Sequence, residues 1–377
     1  MSLVQGTCTD KFSAVKNAFE ESLLSGADLG ASVAVYHHGE LVVDLWGGFK
    51  DQAKTQPWVE DTLVNVWSTT KTMTFLVAIM LSDRGLLDFD APVSKYWPEF
   101  AVNGKQDIKV VQLLNHSSGL SGWATPLSHE DVSDWEKCVS ILEQQAPFWD
   151  PSLNITGYHV LSQGHLIGEV VRRITGMTFG EYFKKEVADV LNADFFIGTP
   201  DSEFQRISPV FAPPPFDFTG QEEDSVLMRT MRSTPLNAEL ANTKAWINAE
   251  VPAANGQGNA RSVALIQSII SNRGELRGHR FFSEELSDRM FTKQVGGTDM
   301  ILGGKFNFGL GYGLESSQMP IGPDACFWGG WGGALISINR ELNLTVAYMM
   351  NKMEMPALYG DQRGPTIALH SLLSAVS

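Results

Sequence analysis

Apolar residues follow two rhythms along this chain. Ala31–Tyr36 and Glu40–Trp46 are rich in β-branched and aromatic residues and are joined by His37, His38 and Gly39. That pattern predicts a β-hairpin. From Thr72 to Asp83 the apolar run becomes helical, with Gly85 as its stop. Residues from about 86 to 245 read as mostly helical, most clearly over Val160–Thr175, ended by Gly176, and over Phe179–Leu191. Pro209–Asn237 interrupts this pattern with Pro213, Pro214 and Pro215, then Gly220 and the acidic Glu222, Glu223 and Asp224. Three prolines cannot continue a helix, so an extended surface loop is expected there.

Arg261–Asn272 predicts a helix stopped by Gly274; strands return over Gly333–Asn339 and Leu344–Met350, and a last helix follows from Pro365. Strands near both ends with helices between them imply an α/β (α+β) protein. Its antiparallel sheet draws on both ends of the chain, with flanking helices and a mostly helical insertion. The expected division puts residues 1–80 and 245–377 in the sheet domain and 81–244 in the helical domain, with an active site in the cleft between them.

Composition narrows the function classes. The 377 residues are 43% hydrophobic and 19% charged, as in an ordinary globular protein. A formal net charge of −15 speaks against nucleic-acid partners, which need clustered Lys and Arg, and against anionic membranes. No apolar run reaches the roughly 18 residues of a membrane helix, and residues 1–10 lack the basic and apolar segments of a secretory signal. Three widely separated cysteines fit reduced thiols, and eight histidines show no metal-ligand spacing. A cytoplasmic protein without metal or cofactor is expected.

Against this background Ser68, Thr69, Thr70 and Lys71 stand out, a Ser-x-x-Lys tetrad opening the apolar helix. At about 3.6 residues per turn, positions three apart share a helix face. A serine hydroxyl needs a neighbouring base before it is a useful nucleophile, and a partly desolvated lysine is such a base. The same spacing also occurs in many solvated helices, so it does not decide alone. Gly157, Tyr158 and His159 precede the Val160 helix. A cationic lysine beside Tyr158 would favour the phenolate and let it relay a proton, although packing is the commoner role of a tyrosine.

Trp328, Gly329, Gly330, Trp331, Gly332 and Gly333 lead into a strand. Glycines there let the backbone approach a ligand, so an N–H of this stretch and that of Ser68 could form an oxyanion hole; a plain turn or bulge accounts for them equally well. His116 beside Ser117 and Ser118 is read as a structural histidine. No Gly-x-Ser-x-Gly elbow occurs in the chain.

Taken in order, Ser68 with Lys71, Tyr158 with His159, and Trp328-Gly329-Gly330 resemble the β-lactamase-related serine hydrolases, in particular the family VIII carboxylesterases. The likeness spans nearly the whole chain, including Leu113–Leu120, Gly164–Gly176 and Asn242–Gly256. It implies the β-lactamase/transpeptidase-like fold of class C β-lactamases and penicillin-binding proteins. It also implies that Ser68 is acylated while Lys71 and Tyr158 manage protons, and that the Trp331 N–H is the second oxyanion donor.

Two departures bear on substrate. β-Lactamases place an asparagine where this chain has Val160 and a strand lysine where it has Trp328. Loss of both polar anchors favours uncharged acyl groups, so the expected partner is a small-molecule ester and the expected reaction ester hydrolysis. Acyl transfer to an alcohol through the same acyl-enzyme is the alternative, with Phe211, Phe216 and Phe218 of the proline-rich loop as a wall against water; weak lactam cleavage is a further one. Oligomeric state and acyl specificity are not legible.

Overall fold

The computed structural model describes residues 3–317, 321–355 and 360–377. Nine strands build one antiparallel sheet: β1 Val4–Cys8, β2 Gly30–His37, β3 Glu40–Gly48, β4 Val295–Thr298, β5 Lys305–Phe308, β6 Gly313–Leu314, β7 Ala325–Gly329, β8 Leu335–Asn339 and β9 Leu344–Met350. Their order across the sheet is β1-β3-β2-β9-β8-β7-β6-β5-β4. The expected hairpin is β2–β3, closed by His38 and Gly39, both with positive φ (53° and 78°), as a tight two-residue turn requires. The sheet's centre joins the two ends of the sequence, Ala31 lying opposite Met350 and His37 opposite Leu344.

Five helices frame the sheet and the site: α1 Ser13–Leu24, α2 Lys71–Asp83, α3 Ser162–Thr175, α4 Ala260–Ser271 and α5 Arg363–Val376. Every residue of β9 is buried because helices cover both faces of the sheet. On one face Thr345 hydrogen-bonds Ser271 of α4 at 2.9 Å. On the other, Tyr348 reaches Asp28 at 2.6 Å and packs against Arg363 of α5. Helix α2 is buried along its whole length from Lys71 to Leu81, which its apolar sequence permits on every side.

Residues 84–259 hold short helices and turns, with α3 the longest helix of the stretch. It starts at Ser162, two residues after the expected Val160, and ends at Gly176 in the left-handed region (φ 69°). The proline-rich stretch is extended only over part of its length. Val226–Ser233 forms a helix that the surrounding loop signals hide, capped by the Ser225 hydroxyl, which accepts from the Met228 N–H at 3.2 Å. A small four-stranded sheet ties residues 63–65 and 257–258 to 195–196 and 207–208.

Arg363 secures the last helix. Its guanidinium donates to Asp28 Oδ1 at 2.9 Å, to Asp361 Oδ2 at 2.8 Å, and to the carbonyls of Lys352 and Gly332, both at 3.0 Å. All three charged side chains are nearly inaccessible, at 8%, 0% and 4%. Removing one partner of such a cluster strands the others in a low-dielectric interior. Arg363→Ala is therefore expected to lower unfolding free energy by about 3–5 kcal/mol. Urea melts of both proteins test this, and a loss under about 1 kcal/mol would contradict it.

Candidate active site

A short 3-10 turn, Trp67–Thr70, carries Ser68 into α2. Trp67 enters it with φ 48°, an unfavourable conformation for a bulky side chain. Its ring is held between those of Trp331 (4.9 Å) and Trp246 (5.8 Å), so packing offsets the strain. One turn on, Lys71 is fully buried. Its Nζ lies 3.3 Å from Ser68 Oγ, 2.7 Å from the Val160 carbonyl and 3.0 Å from the Ala253 carbonyl.

Those three oxygens dictate the chemistry of the amine. No carboxylate pairs with it among the described residues, and burial drives its pKa well below the ordinary lysine value. A neutral amine donates its two hydrogens to the two carbonyls. Its lone pair is then left for the Ser68 hydroxyl proton. The Ala253 carbonyl can be this close because Gly164, in the first turn of α3, carries no side chain: a Cβ there would sit 2.4 Å from the Ala253 nitrogen.

Tyr158 completes the cluster, its hydroxyl donating to Ser68 Oγ at 2.6 Å. Burial opposes the expected phenolate. Lys71 Nζ stands over the ring at 4.8 Å from its centroid, and burial pushes the phenol pKa above its ordinary value, with the Asp299 charge adding to the rise. The phenol is a proton donor. Val160 enters through its main-chain carbonyl on Lys71; its side chain offers no polar atom.

Strand β7 brings the glycine stretch alongside. Gly330 donates to the Ala334 carbonyl at 2.7 Å, and a Cβ on it would lie 2.4 Å from the Val66 carbonyl. Only glycine allows this turn so near the segment bearing Ser68. The backbone N–H of Trp331 donates to no acceptor among the described residues. Trp328 is 5% exposed and packs among Phe75, His116 and Tyr158, its indole N–H unpartnered among the described residues. Gly329 pairs with Leu335 on the neighbouring strand.

His116 is buried beside Tyr158, and its Nδ1 accepts the His159 N–H at 3.1 Å. The contact that sequence reasoning missed is Ser118 Oγ to His159 Nε2, at 2.6 Å. Both residues are completely inaccessible, and burial pushes the His159 pKa down to about 3, so this pair is a neutral structural hydrogen bond. Among the described residues no group of three or more His, Cys, Asp or Glu side chains could hold a metal ion. Among those residues, too, no helix is long and apolar enough to cross a membrane.

A family model described as Beta-lactamase matches residues 15–364. The chain belongs to the β-lactamase family. Within that family it is 32% identical to "Esterase/beta-lactamase LipL" of Mycobacterium tuberculosis (strain ATCC 25618 / H37Rv), over 99% of this chain and 89% of the relative. It is 27% identical to "Esterase EstB" of Burkholderia gladioli, over 95% and 93% of the two chains. A solved structure of a family VIII carboxylesterase superposes with a TM-score of 0.92 at 37% identity, covering 98% of this chain and 99% of that one. The β-lactamase/transpeptidase-like architecture expected from the resemblance is the one observed.

The buried amine has a thermodynamic signature. In the folded protein Lys71 loses its proton well below pH 10.5, whereas in the unfolded chain it does so near that value. Between the two, the unfolded chain binds one more proton, so stability rises with pH by up to about 1.4 kcal/mol per unit. The stability of wild type relative to Lys71→Met should therefore climb between pH 7 and 10. Parallel pH–stability curves from denaturant melts would refute the neutral amine.

Proposed function

We propose that this β-lactamase-family protein hydrolyses carboxylic esters through an acyl-enzyme on Ser68. The observation that carries the reading is the convergence on Ser68 Oγ of a buried amine with no carboxylate partner among the described residues, at 3.3 Å, and a phenol donor at 2.6 Å. Named esterases among its relatives point the same way.

In acylation the Ser68 proton passes to the Lys71 lone pair as Oγ bonds to the ester carbonyl carbon. The N–H groups of Ser68 and Trp331 receive the oxyanion, a role that contributes roughly 3 kcal/mol per donor in comparable sites. When the carbon–alkoxide bond breaks, the Tyr158 hydroxyl protonates the departing oxygen. The proton held by Lys71 then restores the phenol. Water repeats the sequence on the acyl-enzyme: its proton is taken by the same pair, its oxygen bonds to the acyl carbon, and Ser68 Oγ leaves reprotonated.

Ester specificity follows from two positions. Val160 and Trp328 stand where the resemblance places the lactam-binding asparagine and lysine, and neither side chain supplies a cation or an amide. Acyl transfer to an alcohol uses the same intermediate. It is favoured by one feature, the Phe216 ring lying over Trp331 at 5.9 Å and 22°, which gives the site an apolar cover. Partition of products between water and added alcohol separates the two outcomes. A small-molecule ester is the partner in either case, and the cytoplasm is the compartment in which its three unpaired cysteines stay reduced.

Ser68→Ala should lower kcat on a short-chain nitrophenyl ester by at least about 10³-fold, and wild-type turnover in that variant would end the proposal. Because only the free amine of Lys71 can accept the serine proton, kcat/KM should rise with pH through the depressed lysine pKa and stay high until the Tyr158 phenol ionises at strongly alkaline pH. Rates that fall over that interval would instead require a protonated Lys71. Phe216→Ala should shift preference toward bulkier acyl groups by about tenfold in relative kcat/KM, since it uncovers Trp331. An unchanged ratio would remove Phe216 from the acyl-binding wall.

A further inference from the structure

Three successive amides around the phenol are each fixed by a different acceptor. Gly157 N–H donates to the His116 carbonyl at 3.0 Å, Tyr158 N–H to Asp299 Oδ1 at 3.1 Å, and His159 N–H to His116 Nδ1 at 3.1 Å. Asp299 comes from the loop after β4 at the edge of the sheet, 141 residues away in sequence from Tyr158. The same loop is joined to the Tyr158 segment a second time, through Met300 N–H to the Thr156 carbonyl at 2.9 Å.

Asp299 is completely inaccessible and forms no ion pair among the described residues. Its Oδ1 gathers the N–H groups of Tyr158, Ile301 and Leu302, the latter two both at 2.9 Å. Its Oδ2 is buried without a well-formed hydrogen bond among the described residues, although the Thr156 hydroxyl lies near enough to oppose a rise in its pKa. Burial raises the Asp299 pKa from the ordinary carboxylate value, and the N–H donors oppose that rise. Three donors on one oxygen stabilise a carboxylate, while the lack of a counter-cation leaves its field unneutralised. The groups that face Tyr158 are few. They are Lys71 from α2, Ser68 from the preceding turn, neutral His116 and Trp328 against the ring, and Asp299 at the amide.

We infer that Asp299 is a positioning residue for the reaction. It holds the Tyr158 segment in register with Ser68 through the main-chain N–H, and its charge adds to the burial that keeps the Tyr158 hydroxyl a proton donor. The inference rests on the acyl-enzyme reading and adds a division of labour to it. A negative charge at the Tyr158 main chain, in a buried site, opposes phenolate formation, so the first proton from Ser68 goes to Lys71 and Tyr158 serves the leaving group. Burial raises the phenol pKa in the same direction.

Two substitutions separate position from charge. Asp299→Asn keeps an acceptor oxygen for the three N–H groups and removes the charge; Asp299→Ala removes both. In the full-length protein, Asp299→Asn should keep kcat at neutral pH within about threefold of wild type. The alkaline fall of its pH–kcat profile should begin about one pH unit lower, because the phenol ionises sooner. Asp299→Ala should lose at least tenfold in kcat with KM within twofold. Should the alanine variant fail to fold, the profile of Asp299→Asn decides alone. A profile for Asp299→Asn that superimposes on wild type over the alkaline range overturns the inference. So does an Asp299→Ala variant altered only in KM. Ser68→Ala and Tyr158→Phe distinguish the levels of failure: wild-type kcat in Ser68→Ala removes the acyl-enzyme reading itself, and wild-type kcat in Tyr158→Phe removes the phenol from it. A dead Tyr158→Phe beside an unshifted Asp299→Asn removes only the role of Asp299.

Discussion

A lysine amine with no anionic partner among the described residues, sealed between two main-chain carbonyls, is the constraint on which this structure turns. Placing Lys71 at the start of a helix buried on all sides removes water from the ammonium form and shifts its pKa well below the ordinary lysine value, toward the free base. The two carbonyls then fix the direction of the lone pair, and that direction is toward Ser68. An aspartate in the same place would hold the lysine charged and useless as a base. The fold tolerates an unfavourable interior group, which is what the proposed reaction would require of its base.

Each wall of the site comes from a different part of the chain. The serine and lysine ride on the turn and helix after the first hairpin. The phenol and one carbonyl come from the loop ahead of α3, the other carbonyl from the turn at Ala253, and the glycine turn from the end of β7. Contacts between these parts are mostly main-chain, through Val160, Ala253, Val66 and Gly330. Arg363 links the Gly332 carbonyl to Asp28 and so carries the ordering of the last helix to the rim of the glycine turn.

What was legible in the sequence was what local spacing encodes. Ser68 and Lys71 fall on one face of a helix by their separation alone, and His38-Gly39 between two β-rich runs specifies the first hairpin. Strands β4, β5 and β6 are only four, four and two residues long; β4 and β6 contain glycines, and the Lys-Phe-Asn-Phe alternation of β5 is too short to announce a strand by itself. The helix Val226–Ser233 is hidden by the proline and acidic residues ahead of it. At the site, the carbonyls on Lys71 carry no side-chain signature. Asp299 meets Tyr158 only through the folded topology, and the ionisation of that phenol is set by burial, which motif spacing does not report.

The order of strands has a consequence for how the protein comes into being. Strand β2 takes β9 as its neighbour, so the centre of the sheet is sealed by a segment synthesised long after β2 itself. Ser68 emerges from the ribosome long before Trp331 and the strand that backs its turn. Such distant pairings are slow to form. On the proposed mechanism, a growing chain therefore carries Ser68 before the Trp331 N–H that would share its oxyanion, and competence arrives with the closing strand rather than with the serine.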